Sequence, residues 1–434
     1  MTSGSAGEAA RTVTRASLAD RGVVRWAVGP LQPPPAPVPG QRPVNRSFDT
    51  EIRVLETTIG GARQARLGYE LEDIALVPSR RTRDVELVDI SWRFDAYHLD
   101  VPVLGAPLDA VTSPASAAVL AGLGGLGVLN LEGLWTRYED PEEVLAEIAT
   151  LTPGPEATRR LQALYAAPVR EELIGRRVEE LKANGRAAGS LTPQKVERFH
   201  HAALEAGLDL LVVQGVTVTA QHVGQPDTDP LDLRSFTQRY DIPVVVGGVW
   251  SAKTAIHLMR TGAVGVIVEG GSDPLSTTYA ALGVAAPLAT TIAEVAAARS
   301  RYLEESGRYV QVIAAGGLRT GGHLATAIAC GADAVALSAP LAATTEAPGR
   351  GAIWGLSSAH HELPRSRYAR IEVLGSTAEV LRGPAHRDDG TMNLLGGLSR
   401  AMAVTGYESL SRLREAELTV RRGHHDAPTI TPGG

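Results

Sequence analysis

Short apolar runs alternate with helix-like segments from about residue 67 onward. The runs that read as strands are VPVLGAP (101–107), LGVLN (126–130), LDLLVVQG (208–215), IPVVVGG (242–248), VGVIVEGG (264–271), VQVIAAGG (310–317) and DAVALSAP (333–340). Each run ends in small or turn residues, and unbroken Val, Ile and Leu are typical of parallel strands buried on both faces. About eight βα units in one alternation predict a single (β/α)8 TIM barrel, with an open doubly wound sheet as the alternative.

Two of these segments repeat each other without a gap. Equivalent positions within residues 242–268 and 310–337 lie 69 residues apart, so that Gly247-Gly248 matches Gly316-Gly317. Each copy reads as a strand, a Gly-Gly turn, a helix and a second strand, and such repetition is typical of parallel barrels. A glycine turn that leads into a helix is also a common anion site, so we expect chemistry at this face.

The ends of the chain lack this periodicity. The tract LQPPPAPVPGQRP lies within residues 1–60, which we predict to be a disordered Pro-rich arm that acts as a linker or, alternatively, as a docking segment. We place the barrel at residues 61–422 and a flexible tail at residues 423–434, and residues 132–205 read as charged and helix-rich.

Composition excludes several classes of protein. The chain has 434 residues, of which 44% are apolar, so it can bury one large core or two ordinary ones. A net charge of −6 without a basic cluster argues against nucleic-acid binding. The apolar runs are too short for membrane spans, no secretory signal is visible, and a single cysteine fits a reducing cytoplasm.

Two loops at the predicted active face could carry chemistry. EGGSDPLSTTYAALGV (269–284) follows a strand and is rich in hydroxyl groups, so it could hold a phosphate or a nucleophile, or be a polar connection only. AAGGLRTGGHL (314–324) places backbone N–H groups and Arg319 at the start of a helix. That pattern suits a nucleotide phosphate, although glycines needed only for close packing would look the same.

Cysteine and histidine chemistry is not indicated. Cys330 ends the helix before strand DAVAL, which puts it at the amino end of the barrel, opposite the catalytic face. We therefore interpret it as a buried structural thiol. His257, His323 and the pair His200-His201 have no metal-ligand spacing with a carboxylate or thiol, and no metal site is predicted.

These motifs resemble the IMP dehydrogenase/GMP reductase family over about residues 67–420. VPVLGAPLDAVTSPASAAVLAGLGGLGVLN and GHLATAIACGADAVALSAPLAATTEAPG are similar to family segments, the second very specifically. The short helical insert after Leu134 leaves no room for CBS domains, so the chain is most similar to the compact, actinobacterial IMP dehydrogenase-related branch. The resemblance implies a TIM barrel that binds a purine mononucleotide (IMP, GMP or XMP) and uses NAD or NADP, commonly as a tetramer.

The resemblance also implies roles for individual residues. It places Ser276 and Thr278 at the catalytic loop, with Ser276 where the family has its nucleophilic cysteine. The implied nucleotide and phosphate contacts are Asp109, Gly271, Ser272, Gly316, Gly317 and Ser338. The implied cofactor contacts are Gln214, Gly247 and Gly248.

Several family positions are substituted. The family's ribose-binding aspartate corresponds to Ala315, its cofactor-side aspartate to Gln214, and a phosphate-contacting serine to Pro274, while Asp273 is a new negative charge. A serine hydroxyl needs an adjacent base, and the loop contains no His or Lys. We therefore carry three hypotheses: an NAD(P)-linked purine-nucleotide oxidoreductase, a catalytically inactive homologue that binds a purine nucleotide or a partner, and an FMN-binding barrel.

Overall fold

The computed structural model describes residues 56–59, 61, 63–220, 231–270 and 273–421. Most of the predicted Pro-rich arm and the predicted tail at 423–434 lie outside the described residues. Within the boundary drawn for the arm at residue 60, a strand already begins at Glu56.

Eight parallel strands close into a barrel. In chain order the strands are β1 (Glu56–Ile59), β2 (Arg63–Arg66), β3 (Ile74–Leu76), β4 (Trp92–Phe94), β5 (Tyr97–Leu99), β6 (Val103–Gly105), β7 (Leu126–Asn130), β8 (Ala188–Leu191), β9 (Leu210–Gln214), β10 (Val244–Val249), β11 (Gly265–Glu269), β12 (Gln311–Ala315), β13 (Ala334–Leu337), β14 (Ala352–Ile353), β15 (Ala369–Arg370) and β16 (Leu418–Val420). Strands β6 to β13 pair in sequence, and β13 pairs with β6 to close the ring. The predicted TIM barrel is confirmed.

Helices connect the barrel strands and cover them. They are α1 (Pro114–Gly122), α2 (Glu142–Ile148), α3 (Pro155–Tyr165), α4 (Glu171–Ala183), α5 (Val196–Glu205), α6 (Leu233–Arg239), α7 (Ala252–Met259), α8 (Thr278–Leu282), α9 (Leu288–Ser306), α10 (Gly321–Ala329), α11 (Ala339–Ala342), α12 (Thr377–Arg382), α13 (Leu394–Thr405) and α14 (Leu410–Leu413). Ser251 and Thr320 cap the amino ends of α7 and α10, the helices of the two repeat copies. The Ser251 side chain accepts a hydrogen bond from Thr254 N, and the Thr320 side chain accepts one from His323 N. The two caps are related by the same offset as the glycines.

The apolar runs predicted as strands form β6, β7 and β9 to β13, but one barrel strand was missed. Strand β8 lies inside the segment that reads as helix-rich, and all four of its residues are buried. Its sequence, AGSL, has no Val or Ile run, and one of its positions has no room for a side chain. At Gly189, a Cβ would lie 2.6 Å from a methyl carbon of Leu131.

A buried ion-pair network holds the amino end of the barrel. The carboxylate of Asp333, just before β13, accepts from the Arg299 guanidinium at 2.9 Å and from the Val312 backbone N–H at 2.7 Å. Arg414 and Tyr309 bond the other carboxylate oxygen. Charge-assisted bonds of this kind satisfy a buried carboxylate and fix the C-terminal segment against the barrel.

In the described part of the chain, none of the helices has the length and apolar character that crossing a membrane requires.

Candidate active site at the carboxyl end of the barrel

A cavity of about 790 Å³ lies at the carboxyl ends of the barrel strands. That volume falls within the range of small-molecule sites. Its wall includes residues from the ends of β7, β8, β9, β11 and β12, together with the loop before α8 and the segment after β14. The polar side chains on this wall include Asn130, Glu132, Arg137, Tyr165, Gln214, Glu269, Asp273, Ser276, Ser338, His360 and Arg365.

The structure brings together about half of the site residues that the sequence predicts. Those on the cavity wall are Gln214, Ser276, Thr278, Gly316 and Ser338. Asp109, Gly247, Gly248 and Gly317 are not on that wall, and Gly271 and Ser272 lie outside the described residues.

The hydroxyl group of Ser276 is bonded within its own loop. Ser276 Oγ donates to Thr278 Oγ1 at 3.1 Å and accepts from the Thr278 N–H at 3.3 Å. In the described ranges, no histidine, lysine or carboxylate side chain is hydrogen-bonded to Ser276 Oγ. An alcohol without such a base remains a weak nucleophile.

A second segment fastens this loop. Ser276 pairs with Ser366 in an isolated antiparallel bridge. Thr277 N donates to Arg365 O at 2.9 Å, and Arg367 N donates to Leu275 O at 2.9 Å. The Arg365 side chain reaches the cavity wall, where its buried Nε has no hydrogen-bond partner among the described residues. This places an uncompensated cationic donor beside the loop.

Two carboxyl groups share the wall near β11. Burial and, second, the negative charge of Asp273 raise the pKa of Glu269 to about 7, although an amide hydrogen bond from Gln214 opposes the rise. Burial also raises the pKa of Asp273, against a backbone hydrogen bond from Leu275 and the charge of Arg319. A carboxyl group that titrates near neutral pH can act as a general acid or base.

The first glycine pair is not the turn that the sequence predicts. Gly247 and Gly248 belong to strand β10 itself. The Gly248 N–H donates to Gly215 O at 2.9 Å, and the two carbonyls of the pair accept from the N–H groups of Gly215 and Val218. An added Cβ at Gly247 would lie 2.4 Å from Ile267 Cβ, so close strand packing explains this glycine rather than an anion site.

The second glycine pair does form a turn at the cavity. Gly316 and Gly317 follow β12 with φ values of 85° and 69°, a region that favours glycine. Gly316 lies on the cavity wall. An added Cβ there would lie 3.8 Å from Asp273 Cβ, so an acidic side chain faces this turn and would repel a bound phosphate.

Asp109 lies behind the wall. Tyr165 OH donates to Asp109 Oδ2, and Trp354 Nε1 donates to Tyr165 OH at 2.8 Å. Burial raises the pKa of Asp109 to about 6, while the Tyr165 hydrogen bond opposes the rise, and its Oδ1 has no partner among the described residues. Asp109 therefore orients Tyr165, which does reach the cavity.

Cys330 lies where the sequence places it. It caps α10 immediately before β13 and so belongs to the amino end of the barrel. It is half-buried, and burial raises the pKa of its thiol to about 11. Such a thiol is unreactive at neutral pH.

One of the histidines predicted to be non-catalytic has structural hydrogen-bond partners. His200 bonds Val196 O through Nδ1 and the Tyr240 hydroxyl through Nε2, each at 2.8 Å. Across the residues that the structure describes, there is no cluster of three or more His, Cys, Asp or Glu side chains arranged to hold a metal ion.

Comparison with known proteins gives the family. Residues 68–426 match the family model described as the IMP dehydrogenase / GMP reductase domain. The chain belongs to this family. It is 46% identical over 372 residues to an uncharacterized oxidoreductase of Mycolicibacterium smegmatis, which covers 83% of this chain and 99% of that protein. An uncharacterized oxidoreductase of Mycobacterium tuberculosis is 47% identical over 371 residues, covering 83% of this chain and 99% of that protein.

More distant relatives and a solved structure agree with this assignment. An inosine-5'-monophosphate dehydrogenase of Methanocaldococcus jannaschii is 22% identical, covering 86% of this chain and 94% of that protein. The crystal structure of an IMP dehydrogenase/GMP reductase-like protein from Corynebacterium glutamicum superimposes with a TM-score of 0.79 at 41% identity, covering 84% of this chain and 98% of that one. The family resemblance drawn from the sequence is confirmed.

Sequence reasoning missed several residues on the cavity wall. Glu269, Tyr165, Arg137 and Arg365 were not predicted as site residues, although all four reach the cavity. A signal existed for Glu269, because it ends a barrel strand in the same register as Ser338 in the second copy. The other three come from helices and connections whose positions depend on the tertiary fold.

Proposed function

We propose that this protein binds a purine mononucleotide in the barrel cavity and does not carry out the cysteine-dependent hydride transfer of its family. Family membership and a cavity of about 790 Å³ support nucleotide binding. The environment of Ser276 is the observation on which we base the loss of hydride transfer. Its hydroxyl bonds Thr278, and among the described side chains it has no basic partner.

The chemistry of the loop supports loss of the covalent step. A free thiol has a pKa near 8.5 and needs only a modest shift to become a thiolate, whereas an alcohol needs a bonded base. Cys330 is the single cysteine of the chain and lies at the opposite end of the barrel, so it cannot replace the missing thiol.

Phosphate recognition is assigned to Ser338 and Arg365 on the cavity wall and not to the Gly316 turn. Asp273 faces the Gly316 turn and would repel a phosphate there. Ser338, at the end of β13, and Arg365, with its unpartnered Nε, lie on the same cavity wall and supply a hydroxyl and a cationic donor. Arginine and hydroxyl side chains that line one cavity are donors suited to a phosphate.

The residues expected to hold NAD or NADP fit that role poorly. Gln214 donates to Glu269, and the Gly248 N–H is already bonded to Gly215 O. The Glu269 carboxylate also occupies the space beside Gly248. These contacts support a nucleotide-binding role in preference to NAD(P)-linked redox chemistry.

A second candidate remains an NAD(P)-linked purine-nucleotide oxidoreductase that uses Ser276 or Thr278. One observation favours it: Glu269 lies on the cavity wall with a pKa raised by burial to about 7, which suits a general base. An FMN-binding barrel is a third, weaker candidate, and a yellow purified protein would support it.

The test is a thermal-shift panel of IMP, GMP and XMP, with and without NAD or NADP. We expect at least one nucleotide to raise the melting temperature, with no change in nicotinamide absorbance during incubation. Turnover that Ser276→Ala abolishes would establish the oxidoreductase instead. The absence of any nucleotide-dependent shift would contradict the proposal, and Ser276→Ala should leave the shift unchanged.

The family resemblance also supports a homotetramer in the cytoplasm. Light scattering of the purified full chain tests the oligomeric state directly. A monomer at micromolar concentration would contradict the tetramer without affecting the cavity.

A further inference from the structure

Hydrogen-bond acceptors collect on the cavity wall between β9 and β11. Glu269 ends β11, Gln214 ends β9, and both line the cavity. The Gln214 side-chain amide donates to the Glu269 carboxylate. Its other end, Oε1, is buried and has no partner in the described part of the chain.

Gly248, on the strand between them, leaves the space that the carboxylate fills. A Cβ at Gly248 would lie 2.3 Å from Glu269 Oε2 and 3.0 Å from Val216 O. The Val216 carbonyl already accepts from Trp250 Nε1 at 2.7 Å, and a carbonyl oxygen has a second lone pair. Three oxygen acceptors therefore border one part of the wall, two from residues 214–216 at the end of β9 and one from Glu269 at the end of β11.

Such a wall needs N–H donors from a ligand. A buried acceptor without a partner costs about 1–3 kcal/mol, so a ligand that satisfies it gains that energy on binding. Hydrogen bonds to a carboxylate are the stronger kind, and two adjacent donors can engage it together. When Glu269 is ionised, a ligand edge that presents an oxygen would face acceptors on this part of the wall and would be repelled.

We propose that Glu269 and Gln214 recognise a ligand edge with adjacent N–H donors, which among purine mononucleotides selects guanine through its N1–H and 2-amino group. This inference rests on the proposed nucleotide-binding function and names its ligand. IMP offers one donor on this edge because its C2 carries only hydrogen. XMP places a carbonyl oxygen there, so the order of affinity is GMP, then IMP, then XMP.

Calorimetric titration of the full-length protein with each of the three nucleotides tests this order. At about pH 8, GMP should bind about tenfold or more tightly than IMP, which corresponds to one charge-assisted hydrogen bond. Glu269→Gln should remove most of that preference. Glu132→Gln is the matched control, since Glu132 also lines the cavity but its Oε1 accepts from Thr192 N, and it should keep the preference.

Gly248→Ala supplies a second variant in which Glu269 is retained. The added methyl group would displace the carboxylate, so the preference for GMP should fall as it does in Glu269→Gln. Circular dichroism and thermal unfolding establish that each variant is folded.

Proton release gives an independent measurement. Donors on the ligand favour the ionised form of Glu269, so GMP binding at about neutral pH should release protons. Titrations in two buffers with different ionisation enthalpies measure the number of protons released on GMP binding. Glu269→Gln should abolish this release.

The outcomes separate the two proposals. Equal affinities for GMP and IMP in the wild-type protein, or an unchanged preference in Glu269→Gln, overturn the guanine inference while nucleotide binding stands. Failure of all three nucleotides to bind overturns both.

Discussion

In the first copy of the repeated unit, Gly247 and Gly248 lie inside strand β10, whereas in the second copy Gly316 and Gly317 follow strand β12 as a turn. The first pair has its backbone groups bonded to neighbouring segments. The second pair has positive φ values, and Gly316 reaches the cavity. The same Gly-Gly sequence thus allows close strand packing in the first copy and positive φ values in the second.

The strands that follow the two glycine pairs also differ, in the charge of the residue at their carboxyl ends. Glu269 ends β11 and Ser338 follows β13, at equivalent positions on the cavity wall. One position supplies an acid with a pKa raised to about 7, and the other supplies a neutral hydroxyl. A duplicated scaffold has therefore placed different chemistry at two matched points.

The largest effect is expected at Gly247. Gly247→Ala should destabilise the protein by about 3 kcal/mol, since the new Cβ meets Ile267 Cβ at 2.4 Å and the Ile267 backbone oxygen at 3.0 Å. Denaturant unfolding measures the loss. Gly322→Ala, in the helix of the second copy, is the control and should be neutral or slightly stabilising, because its nearest neighbour is 3.6 Å away.

A smaller effect is expected at the matched glycine of the second copy. Gly316→Ala should cost about 2 kcal/mol, because alanine must adopt a left-handed conformation at a φ of 85°. Its nearest steric neighbour, Gly270 O, is 3.2 Å away and adds less than the clash at Gly247. If Gly316→Ala proved costlier than Gly247→Ala, the contrast between packing and turn would be wrong.

Removing the charge at the first strand end should change how stability depends on pH. The pKa of Glu269 is raised from 4.5 to about 7, so the folded protein holds a proton there that the unfolded chain has lost. Raising the pH through this range therefore reduces the free energy of unfolding. Glu269→Gln should be about 1–2 kcal/mol more stable than wild type at about pH 8, with the difference shrinking toward about pH 5.

Denaturant unfolding at both pH values measures the effect. The groups facing Glu269 are Asp273, which raises its pKa, and Gln214, which lowers it, and both are unchanged in the variant. A stability difference that stays constant with pH would show that Glu269 does not titrate in this range.

The smallest effects are expected where the helices of the two copies end. Thr261 Oγ1 donates to Leu258 O at 2.7 Å, and Cys330 holds the equivalent position. Thr261→Cys should cost about 1 kcal/mol by losing this hydrogen bond, and Cys330→Thr should change stability by less. Thermal unfolding of the two variants tests the asymmetry, and equal losses would argue against it.

The barrel was predictable because most of its strands are continuous apolar runs buried on both faces. Strand β8 was not, because Ala188, Gly189, Ser190 and Leu191 carry no apolar periodicity and are buried only by what surrounds them. The glycine pair in β10 was predicted to be a turn, because the local sequence does not show that a Cβ at Gly247 would lie 2.4 Å from Ile267 Cβ.

The cavity was less predictable than the barrel, since its chemistry comes from distant segments. Ser276, Thr278 and Ser338 could be placed through the family resemblance, in segments that follow predicted strands. Tyr165 ends a helix and Arg365 lies in a connection, and only tertiary structure brings them to the same wall. Asp109 was predicted to contact the nucleotide. In the structure it is not on the cavity wall, and its carboxylate accepts a hydrogen bond from Tyr165 OH.

The separation between Ser276 and Cys330 has a pharmacological consequence. Electrophilic compounds that capture a loop cysteine would meet only an alcohol at the barrel mouth of this protein. The remaining thiol is shielded and protonated at the far end, since burial raises its pKa to about 11. The carboxyl group of Glu269 on the cavity wall is a feature that noncovalent compounds could engage instead.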